Sequence, residues 1–283
     1  MTDRMNDSFR ETGEVLVELT AKAREAAREG ASRRDFFTRT AKIAGATAMG
    51  AAGIKLLQPL AIRAAYAGTA PSDTILDIIN IAATAEALAI TFYTHALKHG
   101  QLHLVNIKAN KPYFQAAVSQ EYAHLQILES LGAKPLTTHF YFPTNMFTDQ
   151  PTFFATAITL EEYFISAYLA AAVEFAGTYS TGITTPNLVA AGLAAQIGGI
   201  ECEHKALLNV ANNATPPNNV LIESALLTSV GGAVGPLTPF LTAGTTGFMT
   251  VPLPLPSVDV ITAVAGPYPI GSFPSYSIFA PAM

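Results

Sequence analysis

Glu121-Tyr122-Ala123-His124 and Glu201-Cys202-Glu203-His204 decide how this 283-residue chain is read. In each stretch the acid and the imidazole are three residues apart, which places both on one face of a helix. Each also lies inside an apolar segment of helical character, as do two further acids, Glu86 and Glu161. Charged residues make up only 13% of the chain, so acids set among Ala, Ile, Leu and Phe need a physical reason. An ionised carboxylate buried without a partner costs several kcal/mol or more, and four in one core would be prohibitive. Two divalent cations would remove that cost. One Glu from each of two helices and Glu-x-x-His from each of the other two is the donor set of dinuclear carboxylate bundles. Mixed carboxylate and imidazole donors suit two Fe or Mn ions and admit Zn. The expected metal ligands are therefore Glu86, Glu121, His124, Glu161, Glu201 and His204. Ordinary interhelical salt bridges are a poor alternative, because residues 68–283 contain no arginine and five lysines, of which only Lys205 lies well inside a helix near these acids.

Starts and stops around these motifs outline four helices. The first is expected from about Asp73 to Lys98, capped by Ser72 or Asp73 and stopped by Gly100. The second runs from about Lys111 to Leu131, with Asn110 as cap, Pro112 in the first turn and Gly132 as terminator. Asp149-Gln150-Pro151 opens the third, which continues to about Ala176, and Thr185-Pro186 opens the fourth, which reaches about Asn212. The outer links are short enough for hairpins. The middle link, residues 133–148, can extend roughly 50 Å, against about 30 Å for a helix of this length. The expected fold is all-α, a four-helix bundle with one long crossover.

Register supports a single site. With antiparallel hairpins, Glu86, Glu121, Glu161 and Glu201 fall within roughly 5 Å of one level. The two halves also repeat each other. Tyr93 follows Glu86 by seven residues and Tyr168 follows Glu161 by seven, while Leu128 and Leu208 each follow their His by four. Tyr93 and Tyr168 read either as core tyrosines with satisfied hydroxyls or as residues supporting the metal ligands.

The N-terminal part has a different character. Residues 1–67 hold 11 of the 16 basic residues and 8 of the 21 acids, leaving an acidic remainder that is a poor match for nucleic acid. Ser32-Arg33-Arg34-Asp35-Phe36-Phe37 precedes a weakly apolar Ala/Gly-rich run from Ala44 to Ile62, then Ala65-Tyr66-Ala67. That order resembles a twin-arginine export signal with a small-x-small cleavage site. It implies export to the periplasm or beyond and an encounter with the twin-arginine machinery. Residues 11–30 form a Glu/Arg/Ala-rich arm ahead of it, expected to be helical. No stretch of 18 or more residues is expected to be a membrane span, and the single Cys202 excludes an internal disulfide.

Over about residues 72–212 the chain resembles the ferritin-like superfamily, specifically exported ferritin-like proteins grouped with desiccation-related proteins. The four-part ligand pattern carries the resemblance, with Leu160-Glu161, Ala167-Tyr168-Leu169 and Ile200-Glu201-Cys202-Glu203-His204 in support. It implies that Glu121 and Glu201 bridge two metals, with Glu86 and His124 on one and Glu161 and His204 on the other.

Other polar residues read more plainly. Glu162 and Glu203 are rotated about 100° and 200° from their ligand neighbours and are expected in solvent or behind the ligands. His95 and His99 form an i, i+4 pair near a helix end, His103 and His139 are expected in loops, and Cys202 reads as a small buried hydrophobe. Gly198-Gly199 weakens the fourth helix unless close packing or a bulge requires it. Residues 213–283, rich in Pro, Gly and Thr, are too apolar for a disordered tail. They are expected to wrap the bundle or join subunits into a homo-oligomer, with short helices near Leu221–Ser229 and Val234–Leu241. The expected function is an exported dinuclear Fe or Mn protein reacting with O2 or peroxide, in the manner of a ferroxidase or a manganese catalase. The alternative is a non-catalytic metal-binding or stress-protective protein that assembles through its tail.

Overall fold

The structure, a computed structural model, describes residues 73–100, 103–177 and 185–268. The export motif, the arm at 11–30, Ser72 and most of Pro267–Tyr276 lie outside the described residues. Among those described the fold is all-α, with seven helices and one two-residue strand pairing. Four long helices make the bundle: α1 (Ile75–His99), α3 (Lys111–Ser130), α4 (Gln150–Gly177) and α5 (Thr185–Ala211). A short α2 (Val105–Ala109) interrupts the link between α1 and α3. The pair α1 and α3 forms one hairpin, and α4 packs on α5 to form the other.

The caps differ in detail from the sequence expectation. Thr74, rather than Asp73, caps α1 through a reciprocal box: its side chain accepts from Asp77 N–H, and Asp77 accepts from Thr74 N–H at 3.1 Å. Asp73 is drawn away to accept from Gly231 N–H at 2.7 Å. Asn110 precedes α3 but makes no side-chain cap, since its backbone is not in the extended conformation of a cap residue; its amide nitrogen donates back to Asn106 O at 2.9 Å. Asp149 caps α4 as expected, its Oδ2 accepting from Thr152 N–H at 2.9 Å.

Helix α1 lies at the centre of the packing. Ala83, Ala87, Leu88, Ala89, Ile90 and Phe92 are fully buried, and the alanines let neighbouring helices approach closely. Contrary to the sequence expectation, this helix is long and apolar enough to cross a membrane by length and composition. The bundle explains that character, since 72% of its most apolar stretch is buried inside the protein.

The crossover at 131–149 and residues 212–268 fold as one layer against the bundle. Strand β1 (His139–Phe140) pairs antiparallel with β2 (Leu253–Pro254), in the register His139 opposite Pro254. His139 thus begins a strand rather than lying in a loop, its backbone neighbours supplied from more than a hundred residues away. Tyr141 N–H donates to Phe240 O, and Met249 N–H donates to Phe142 O, each at 2.8 Å. Phe140, Phe142 and Met146 are thereby fully buried, each side chain worth about 1.5–3 kcal/mol of apolar transfer. Helices α6 (Val234–Leu241) and α7 (Val258–Ala265) complete the layer.

A helix forms at Val234–Leu241 as the sequence suggests, but none forms at Leu221–Ser229. There the bundle's side chains answer the backbone donors instead: Leu227 N–H donates to Ser166 Oγ at 2.8 Å, and nearby Val230 N–H donates to Glu174 at 2.9 Å. Gly231 sits where a Cβ would meet Asp73 Oδ1 at 2.7 Å, so a larger residue in this strap would displace the carboxylate that accepts from its own N–H. Lys205 Nζ, on α5, ties Glu223 at 2.5 Å.

Candidate metal centre

Each helix of the bundle brings its acid to the same level. Glu86 comes from α1, Glu121 and His124 from α3, Glu161 from α4, and Glu201 and His204 from α5, and all six are buried. Their ligand atoms fall into two groups, each within 4.8 Å: Glu86, Glu121, His124 and Glu201 in one, and Glu121, Glu161, Glu201 and His204 in the other. The groups share Glu121 and Glu201. All six residues singled out from the sequence are therefore brought together.

The polar atoms of this cluster are poorly satisfied by protein. Glu86 Oε2, both oxygens of Glu121, Glu161 Oε2, Glu201 Oε1 and His124 Nδ1 are buried without a hydrogen-bond partner. His124 Nδ1 stands 3.3 Å from Glu201, 3.4 Å from Glu86 and 3.5 Å from Glu121. His204 Nδ1 stands 3.0 Å from Glu121 and 3.2 Å from Glu201. These contacts have ion-pair distances, but most lack the alignment of hydrogen bonds, so their lone pairs converge on the space between the helices. Buried polar groups are nearly always partnered, and orphans concentrated in one place mark where cations fit. Two divalent ions would also balance four carboxylate charges.

The charges otherwise have to be settled with protons. Burial, followed by the neighbouring charges of Glu201 and Glu86, pushes Glu121 well above the carboxylate range. Burial and then Glu201 raise Glu161. Burial also acts to raise Glu201, but the close His124 and His204 imidazoles outweigh it and hold that carboxylate at about 2. Burial alone would lower His124, yet the adjacent Glu86, Glu121 and Glu201 raise it well above the usual imidazole value. Without cations, the cluster thus becomes protonated carboxyls beside an imidazolium–carboxylate network.

Two tyrosines complete the cluster, and they cross between the hairpins. Tyr93 on α1 donates to Glu161 Oε1 on α4 at 2.5 Å, and Tyr168 on α4 donates to Glu86 Oε1 on α1. In each acid the bonded oxygen is Oε1 and the orphan is Oε2, so each phenol leaves one oxygen directed at the centre. Burial, then carboxylate charge, raises both phenols well above the ordinary tyrosine range, which keeps them O–H donors. Gln120 was not singled out from the sequence. Its Oε1 lies 3.0 Å from His204 Nε2 and can accept a hydrogen bond from it, which leaves Nδ1 as the nitrogen that faces Glu121 and Glu201. The sequence offered little signal, because α3 also carries Gln115, Ser119, Gln126 and Glu129.

The remaining candidates stand apart. Glu203 is exposed, and Glu162 is partly exposed with its carboxylate 3.9 Å from Lys205. His95 stacks near His99 and Phe147, and burial, then the charges of His99 and Lys98, lower it to about 4. Cys202 is half-buried and free.

A family model described as the ferritin-like domain matches residues 74–214, close to half the chain and spanning all four bundle helices. No curated protein and no solved structure shows a significant match.

Proposed function

We propose that this chain, a member of the ferritin-like superfamily through residues 74–214, is an exported dinuclear iron or manganese protein that reacts with O2 or peroxide. The observation that carries the reading is the sharing of Glu121 and Glu201 by two ligand groups of otherwise orphaned, buried donors. In this reading Glu121 and Glu201 bridge two ions, Glu86 and His124 complete one set, and Glu161 and His204 complete the other. Bound iron or manganese would supply the electrons for reducing the oxidant. The protein's own part is to hold the donors at one level, keep water out with the alanine-rich core of α1, and fix each outer carboxylate with a phenol. Export by the twin-arginine route rests on Arg33-Arg34 and the run that follows, and kinship with the desiccation-related proteins on the ligand pattern with Leu160-Glu161, Ala167-Tyr168-Leu169 and Ile200-Glu201-Cys202-Glu203-His204.

A second reading keeps the ions without turnover, as a metal-binding or stress-protective protein assembled through its tail. It draws on Val220, Leu221 and Ile222, an apolar run in the C-terminal layer that stands in solvent, Leu221 at 98% exposure. Metal analysis of the natively exported protein, with stopped-flow consumption of O2 and peroxide, tests both. Two Fe or Mn per chain with rapid consumption is the expected result. Bound metal without consumption selects the second reading, and an absence of metal under replete conditions overturns both.

A further inference from the structure

The two halves of the centre differ in how their tyrosines are packed. Tyr93 is wedged among rings, with Phe92 at 4.2 Å, Phe114 at 6.0 Å and His204 at 6.1 Å between centroids. The space left beside it is about 10 Å³. Tyr168 instead borders open space. A cavity of about 30 Å³ lies between the four helices on that side, walled by residues including Ile78, Ala82, Tyr168, Ala171, Ala194 and Ile197. A second, of about 10 Å³, reaches the same Ala82, Tyr168 and Ala171 from beneath the C-terminal layer.

A cavity holds water only where it is roomy enough and offers two to four polar partners. The walls of the larger cavity are apolar, and the one residue lining it that bears a hydroxyl, Tyr168, already donates to Glu86. Such a space stays dry and takes small, uncharged, weakly polar molecules. It is far below the roughly 300 Å³ or more of an organic-ligand pocket. Hydrogen peroxide would forfeit its hydrogen bonds on entering, whereas dioxygen forfeits none.

We infer that the cavity beside Tyr168 is a dioxygen site, so that the oxidant is O2 and it reaches the centre from the Glu86 side. This inference rests on the proposed function for its reaction, but not for its site. Crystals of the metal-loaded full chain, pressurised with xenon, should show xenon among Ala82, Tyr168, Ala171 and Ala194. An empty cavity would overturn the assignment. Ala194→Phe, or the milder Ala194→Leu should the first fail to fold, fills the space from α5. It should abolish the xenon peak and slow O2 consumption by about tenfold, with metal content and any peroxide consumption unchanged. An unaltered O2 rate in a variant that has lost xenon would overturn the route. Xenon bound by a protein that consumes no O2 would sink the proposed reaction and the choice of oxidant, leaving a gas-binding cavity.

Discussion

Tyr93, on the first hairpin, donates its phenolic proton to Glu161 on the second at 2.5 Å, and Tyr168 returns the same bond to Glu86. Removing either hydroxyl leaves a buried carboxylate with no donor on either oxygen, at a cost of about 1–3 kcal/mol. Tyr93→Phe and Tyr168→Phe should therefore each lower the denaturation midpoint of the metal-free protein. Outer partners of ligands also tune affinity, so metal binding should weaken by about 10–100-fold. Calorimetric unfolding and a metal titration check this; variants indistinguishable from wild type in both would show the phenols to be ordinary core.

The sharing of Glu121 and Glu201 makes the four acids unequal. Glu121→Ala or Glu201→Ala removes a donor from both groups and should abolish binding of both ions. Glu86→Ala and Glu161→Ala each touch one group and should retain one ion. Elemental analysis per folded chain is the readout, and equal losses from all four substitutions would defeat the bridging assignment.

Glu174 accepts from Val230 N–H at the strap and is raised to about 8, first by burial and then by the charge of Asp73, against the lowering effect of that hydrogen bond. A carboxyl whose folded value is raised contributes stability that is complete below its ordinary value and fades as pH rises through the raised one. The wild type should thus lose melting temperature between about pH 5 and about pH 8 relative to Glu174→Gln, which cannot ionise. Parallel pH profiles for the two proteins would contradict this.

Gly198 and Gly199 are adjacent on α5 but should respond oppositely to alanine. A Cβ on Gly199 meets nothing within 4 Å, whereas one on Gly198 meets Tyr168 Cβ at 3.1 Å. Gly199→Ala should gain up to about 1 kcal/mol of helix propensity. Gly198→Ala gains the same propensity but presses on a side chain pinned at its far end by Glu86, and overpacking costs about 1–3 kcal/mol. Its net effect should be destabilising, as urea denaturation of the two variants would show.

The site was legible because its chemistry is local in sequence and periodic in structure. Glu-x-x-His sets a helix face by itself, and equal distances from helix ends bring Glu86 and Glu161 to the same height. The close packing suspected at Gly198-Gly199 is real at the first of the pair, against Tyr168. What escaped were pairings between distant segments. Nothing near Glu174, Asp73 or Ser166 in the sequence shows that residues 227–231 will present backbone N–H groups to them. Nor does His139 indicate a strand partner at Pro254. The crossed tyrosines belong to both classes: their seven-residue spacing was visible, but only three-dimensional packing shows that each serves the opposite half.

That crossing has a consequence for how the molecule comes together. Tyr93, Tyr168 and Gln120 each answer a polar atom of the hairpin to which they do not belong. Neither hairpin can therefore dry out its own acids in isolation, and a half-molecule severed within residues 131–149 would be left with carboxylates only its missing twin could appease. Mutual dependence of this kind makes docking of the two halves a single all-or-none event.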